Sequence, residues 1–206
     1  MKDHADLELL RRVWKRFWVN EGLSERQILF AKGLGEKGSS EAALGSAFHN
    51  GIEIIGVVVD TIDEMLHGEL FGKQGLTKRI EHWLDFGEWS KLVSSLVDAG
   101  YSIYLTADHG NVDIVGMGRP SEGVLAEARG ERSRIYDSEA LRQKSAETIA
   151  GSRILQPGGL PESYRPLFAP EGKGFILPGK SAVVHGGTAI EEVIVPFVRI
   201  SRKEKL

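Results

Sequence analysis

The sequence predicts an α/β protein built on a parallel sheet, and three observations carry that reading. Ile52-Glu53-Ile54-Ile55-Gly56-Val57-Val58-Val59 is a nearly unbroken β-branched run, the pattern of a strand buried on both faces. A helical stretch and a second apolar run, residues 101–106, follow it and complete a strand–helix–strand unit. The 25 glycines in 206 residues, about 12 % against a usual ~7 %, come without low complexity and mark many tight loops. Such a chain is long enough for one substantial core and marginal for two. Lys plus Arg number 26 and Asp plus Glu 29, a net charge of −3, so a global electrostatic grip on nucleic acid or an anionic membrane is not indicated. The absence of cysteine excludes disulfides, thiol nucleophiles and iron–sulfur centres. No apolar run approaches the ~18 residues of a membrane span, and residues 1–10 hold no signal-peptide core. The expected location is cytoplasmic.

In order along the chain, Leu7, Leu10, Val13, Trp14, Phe17 and Trp18 recur at three- and four-residue spacing, which predicts a helix capped by Asp3 or Asp6. Ser24-Glu25-Arg26-Gln27 has the form of a capping box and predicts a second helix ending near Gly33 or Gly35. A third, short helix is predicted over residues 41–49, before the strand over 52–59. Residues 76–99 read as helical, with Ile80, Trp83 and Leu84 on one face, a break near Gly87, and Leu92, Val93, Leu96 and Val97 beyond it. Gly100 stands where a helix-terminating glycine belongs, ahead of the strand over 101–106. Residues 139–150 predict another helix, and Gly158, Gly159, Pro161, Pro166 and Pro170 mark a long irregular stretch. Residues 181–184 predict a short strand and 193–200 a last one, where Pro196 implies an edge or a bulge. No repeat or linker divides the chain. A single domain is expected, with residues 1–50 as a helical segment packed on an α/β core of residues 51–206.

Two of these strands end alike. Val57-Val58-Val59-Asp60 leads into Thr61-Ile62-Asp63-Glu64-Met65-Leu66-His67-Gly68, and Tyr104-Leu105-Thr106-Ala107 leads into Asp108-His109-Gly110-Asn111. In an open parallel sheet the C-terminal strand ends face one crevice where ligands bind, and carboxylate–imidazole clusters there suit a divalent transition metal. Asp63 and His67 lie one helical turn apart. Asp108 and His109 are adjacent, so only an irregular loop lets both meet one ion. His185, in His185-Gly186-Gly187, follows a third strand, and behind it Thr188 and Glu191 have capping-box spacing. Singly, each has a plainer reading: Asp63 as the cap of a helix carrying Met65 and Leu66, Asp108 and His109 as turn residues, His185 as a hydrogen-bonded loop histidine. Three such sites at three strand ends, each followed by glycine, point to a metal together. His4, His49 and His82 lack that context and read as surface or packing residues.

Asp-x-x-x-His, Asp-His-Gly and His-Gly-Gly, in that order, resemble the second half of the alkaline phosphatase superfamily metal site. More closely, residues 59–72, 106–130 and 185–196 resemble PglZ proteins of bacterial BREX phage-defence systems. The resemblance implies an alkaline-phosphatase-like, three-layer α/β/α fold with a mostly parallel sheet. It also implies two zinc-type ions: one on Asp63, His67 and His185, the other on Asp108 and His109 with a further aspartate and a Thr or Ser nucleophile. In such a site one metal lowers the nucleophile's pKa and both stabilise charge on the phosphoryl oxygens. The family's first aspartate and nucleophile belong to a strand and helix ahead of these motifs. Residues 1–50 read as helices with no strand ending in aspartate, so a core lacking its N-terminal part is expected. Asp60 is a substitute ligand that fits the motif less well than Asp63, and nothing beside Ser39, Ser40 or Ser46 supports a nucleophile.

Arg119, Arg129, Arg132 and Arg134 lie in a stretch that also resembles the family. Arginine forks suit phosphate, and Arg129 and Arg132, in glycine-bracketed positions, are the phosphate-binding candidates. The plainer reading is a solvated basic loop balanced by Glu122, Glu127 and Glu131.

The function this implies is a metal-dependent phosphatase or phosphodiesterase-type hydrolase domain acting on a phosphate ester or diester, present as a C-terminal portion without its nucleophile half. One strong divalent site, for zinc, is expected at Asp63, His67 and His185, with a second that is weak or empty and turnover at or near background. The alternative is a non-catalytic interaction module of a phage-defence complex, with remnant metal ligands and other defence proteins as partners. Other metallohydrolase classes rank lower because their His-Asp doublet or His-x-His-x-Asp-His string is missing.

Overall fold

The computed structural model describes residues 2–33, 44–45, 51–67, 72–119, 126–155, 158, 161 and 163–203. Ser39, Ser40, Ser46 and most of the helix expected over 41–49 lie outside them. The chain divides into two compact units.

One unit comprises Met1–His67, Arg79–Ile103 and Ile200–Leu206. It opens with α1 (Lys2–Asn20), where the apolar spacing predicts a helix. The helix expected after Ser24 does not form. Ser24 and Gln27 do meet, the Ser24 N–H donating to Gln27 Oε1 at 2.8 Å, but they close only a 3₁₀ turn over Glu25–Gln27. β1 (Ile28–Lys32) follows at once, because Ile28-Leu29-Phe30-Ala31 is apolar at consecutive positions and finds cover on both faces. Tertiary pairing overrides the local signal: β1 lies parallel to β2 (Ile54–Val58), Ile28 opposite Ile54 and Lys32 opposite Val58. Residues 1–50 therefore contain a strand, although it ends in lysine rather than aspartate. Lys32 Nζ lies 3.9 Å from Asp60 at the same strand edge.

Trp14 joins α1 to this pair, its indole N–H donating to the Leu29 carbonyl at 3.2 Å. Gly56 makes the approach possible, since a Cβ there would stand 2.7 and 2.9 Å from Trp14 ring carbons. Gly56→Ala should therefore cost about 1–3 kcal/mol by overpacking, read as a lowered urea midpoint. Trp14→Ala combined with Gly56→Ala should show less than the sum of the two single losses.

The Asp60 carbonyl accepts the Glu64 N–H at 3.0 Å and starts α2 (Thr61–His67). α3 (Gly72–Asp85) is separated from α4 (Glu88–Asp98) by Gly87 at φ +78°, the break the sequence predicts. α4 ends on Gly100 at φ +93° with Tyr101 N–H bonded to Leu96 O and Gly100 N–H to Val97 O, a Schellman pair. Ala31, Leu44, Leu92 and Leu96 form this unit's core, with Ile55, Val57, Val59 and Ile103 packed against them. Ile103 opens β3 (Ile103–Leu105), shorter than its apolar run.

The other unit comprises Gly68–Lys78 and Tyr104–Arg199. In chain order it holds β4 (Val112–Gly116), β5 (Ala126–Arg129), β6 (Ser133–Tyr136), α5 (Glu139–Thr148), β7 (Arg153–Ile154), β8 (Arg165–Phe168), β9 (Lys173–Gly174), β10 (Ser181–Val184) and α6 (Ile190–Val193). β11 (Val198–Ile200) pairs with β3. Residues 193–200 were expected as one strand. They instead close α6 and leave only β11 after Pro196, whose missing N–H cannot join a ladder.

The sheets are small and mixed, where a mostly parallel one was expected. β1–β2 and β4–β9 pair in parallel, while β5-β6-β8-β7 is antiparallel throughout and β10 runs antiparallel to β4. The physical reason is connection length: β5 and β6 are joined by a short turn, which permits only an antiparallel return. Tyr136, Leu167 and Phe175 anchor one core of this unit; Ile114, Ile176 and Val184 form another. Among the described residues no helix is long and apolar enough to cross a membrane.

Candidate metal centre

The register of β10 against β4 assembles the centre. Val184 sits opposite Val112, so the loop leaving β10, His185-Gly186-Gly187, emerges beside the loop entering β4, Asp108-His109-Gly110. The two imidazoles stack face to face, centroids 3.7 Å apart and planes 12° from parallel. Each offers a ring nitrogen within 4.8 Å of the other's. His109 Nδ1 lies 3.1 Å from the Gly110 carbonyl. That oxygen only accepts, so Nδ1 is the nitrogen that donates to it, and in the neutral ring this leaves the lone pair on Nε2. Nε2 in turn lies 3.8 Å from Asp108 Oδ1, and the same carboxylate oxygen accepts the His109 N–H at 3.1 Å.

Glycine is required in both loops by close approach. A Cβ on Gly110 would stand 2.0 Å from the Glu191 carbonyl oxygen, and one on Gly187 would stand 2.5 Å from Glu192 Oε2. Glu192 is the common element. Its carbonyl accepts the Gly110 N–H at 2.8 Å. Its carboxylate accepts the Gly187 N–H at 2.9 Å and the Ala189 N–H at 3.1 Å. The cap at the start of α6 is thus made one residue later than the Thr188–Glu191 spacing predicts, because Glu192 is the glutamate that Arg132 holds. Glu192 and Arg132 are 2 % and 3 % exposed. They pair through two bonds, Arg132 Nε to Oε1 at 3.0 Å and Nη2 to Oε2 at 3.1 Å. Burial pushes the Glu192 carboxyl up, but the Arg132 hydrogen bond and charge and the Ala189 and Gly187 N–H groups outweigh it and leave its pKa below the ordinary carboxylate value.

Arg132, read from sequence as a phosphate candidate, therefore stands in the interior, where Nη1 also donates to the Pro170 and Lys173 carbonyls. Arg134 is likewise buried, its guanidinium 5.2 Å from the Phe175 ring centroid. The solvated basic loop does not describe these two, while Arg119 is exposed. Arg129 lies in β5 and its side chain falls outside the described residues. Asp63 is exposed in the first turn of α2, in the first unit. The His67 backbone closes that helix, which puts positions 63 and 67 one turn apart; its side chain also falls outside the described residues.

β4 and Glu192, which position the two histidine loops, escaped the sequence reading. β4 shows its signal as the alternation of Val112 and Ile114 with Asp113 and Val115. The buried Glu192 has none beyond its spacing from His185.

The donor set fits a divalent cation. The His109 and His185 imidazoles would supply nitrogen donors, and Asp108 would offer a carboxylate oxygen, which lies 3.8 Å from His109 Nε2. The Nδ1–H bond to a backbone carbonyl is the support a ligating histidine has. Asn111 Oδ1, next along the loop, is buried without a hydrogen-bond partner among the described residues.

The family model for the BREX system PglZ alkaline phosphatase-like domain matches residues 7–200. The chain belongs to the PglZ family. This PglZ chain is also similar to the solved structure of murine ectonucleotide pyrophosphatase/phosphodiesterase 5, with a TM-score of 0.56 at 12 % identity, over 80 % of this chain and 52 % of that one. At that identity the likeness speaks for an alkaline-phosphatase-like fold, and the PglZ chain spans about half the length of that structure. No curated protein matches the chain.

Proposed function

We propose that this PglZ chain is a metal-dependent phosphoester hydrolase-type domain, with a phosphate monoester or diester as substrate. The observation that carries the reading is the stacked His109–His185 pair, with the His109 tautomer set by the Gly110 carbonyl. In this reading His185, Asp108 and His109 are ligands of divalent ions, zinc, and Asp63 and His67, one helical turn apart, offer a further pair of donors. Arg129 is the remaining phosphate candidate. A bound divalent ion supplies a Lewis acid for phosphoryl oxygens and lowers the pKa of water.

The chain's own residues do the rest. The Gly110 carbonyl holds the His109 proton on Nδ1, Asp108 presents its carboxylate on the solvent side, and the glycines let both loops sit close. Among the described residues no serine or threonine stands out as a nucleophile, and monoester turnover by this chain alone is expected to stay near background.

Metal analysis after dialysis, run beside aryl phosphate and diester assays, tests the reading. Retention of about one equivalent of divalent ion is expected. His185→Ala should weaken uptake by more than the ~10–100-fold a supporting residue is worth. Intact, folded protein that takes up no metal sinks the proposal and favours a protein-interaction module. Robust, His185-dependent monoester hydrolysis would reveal a nucleophile in the chain.

A further inference from the structure

We infer that Glu192 is a positioning residue: locked by Arg132, it holds the His185-Gly186-Gly187 loop against the Asp108-His109-Gly110 loop and so fixes the two imidazoles face to face. Its carboxylate takes the Gly187 N–H from the first loop and its carbonyl takes the Gly110 N–H from the second, so one residue grips both. The carboxylate cannot drift, because the Arg132 fork occupies both oxygens and is itself tied to the Pro170 and Lys173 carbonyls. Nor is there room for slack: side chains at Gly110 or Gly187 would overlap the Glu191–Glu192 segment. Removing the charge while keeping the shape should let the His185 loop move relative to His109 and spoil a donor geometry that tolerates little error. The geometric claim stands on the stacked rings alone; its consequence for metal affinity rests on the hydrolase reading.

The test uses the full chain and the variants Glu192→Gln, Arg132→Lys and Gly187→Ala. In metal-free protein, the ring protons of His109 are followed by NMR with and without His185→Ala. In the wild-type background, loss of the stacked ring should shift them clearly. In the Glu192→Gln background the same replacement should leave them nearly unmoved. Zinc affinity, measured by competition with a chelating dye, should fall about 10–100-fold in Glu192→Gln. Leu92→Ala, a buried site in the other unit, should lower the melting temperature and leave zinc affinity alone. Should Glu192→Gln not fold, Arg132→Lys and Gly187→Ala carry the same readouts.

A Glu192→Gln protein that keeps the His185-dependent shift overturns the inference, whatever its stability. Wild-type protein that binds no zinc but shows a Glu192-dependent shift sustains the positioning role and sinks the hydrolase reading instead.

Discussion

Arg132→Ala should destabilise the fold by about 3–5 kcal/mol, the cost of leaving a buried carboxylate without its partner. Against a typical total of about 5–15 kcal/mol this is the largest single-residue loss expected in the described chain. The size follows from burial, since both partners are at most 3 % exposed and water cannot take over the lost bonds. Urea denaturation at neutral pH measures it. A loss within ~1 kcal/mol, the range of an exposed ion pair, would show that the pair is solvated in solution. The same pair gives a signed pH dependence. Because the folded Glu192 carboxyl titrates below its ordinary value, its contribution is fully present above the unfolded carboxyl pKa and disappears as pH falls through the folded one. Wild-type stability should therefore drop on the acid side, and Arg132→Ala should flatten that limb.

Gly110→Ala comes next, at about 3 kcal/mol, the upper end of overpacking costs. The added methyl would meet the Glu191 carbonyl oxygen at 2.0 Å and its carbon at 3.1 Å. Both are main-chain atoms, so no side chain can swing aside, and the Gly110 N–H bond to the Glu192 carbonyl would stretch with the loop. Gly186→Ala is the informative companion. Gly186 sits at φ +94° with its nearest atom, Ser133 Oγ, 4.0 Å from the added carbon. It carries backbone strain of about 1–2 kcal/mol without the collision. Equal losses for the two variants would mean that the close approach at Gly110 relaxes at little cost.

The pairing of His109 with His185 brings together two strings that stand out in the sequence, and the proposed metal ligands are all read from such local motifs. His67, His109 and His185 each precede a glycine, Asp63 lies one turn ahead of His67 and Asp108 directly ahead of His109, and the family resemblance rests on those strings. What the string could not reveal is long-range. The capping box just ahead of β1 predicts a helix over it, yet pairing with β2 twenty-six residues away in register decides its state. Arg132 and Arg134 look like members of a charged loop because Glu127 and Glu131 stand just ahead of them in sequence, whereas the buried partner of Arg132 is Glu192. The mixed pairing of the sheets is hidden in the same way: the β-branched run of β2 does pair in parallel, but such runs tell strand from helix and not which neighbour a strand takes.

The Arg132–Glu192 contact joins residues 60 positions apart, which bears on when the centre comes into being. Closing a loop of that length costs about 3–4 kcal/mol of chain entropy, recovered only after β6 and α6 have both arrived. A nascent chain that has not yet released residue 192 from the ribosome holds both histidines but nothing to press them together. The paired imidazoles are then a late product of folding, and a chain cut between residues 132 and 192 should give fragments that reconstitute them only on reassociation.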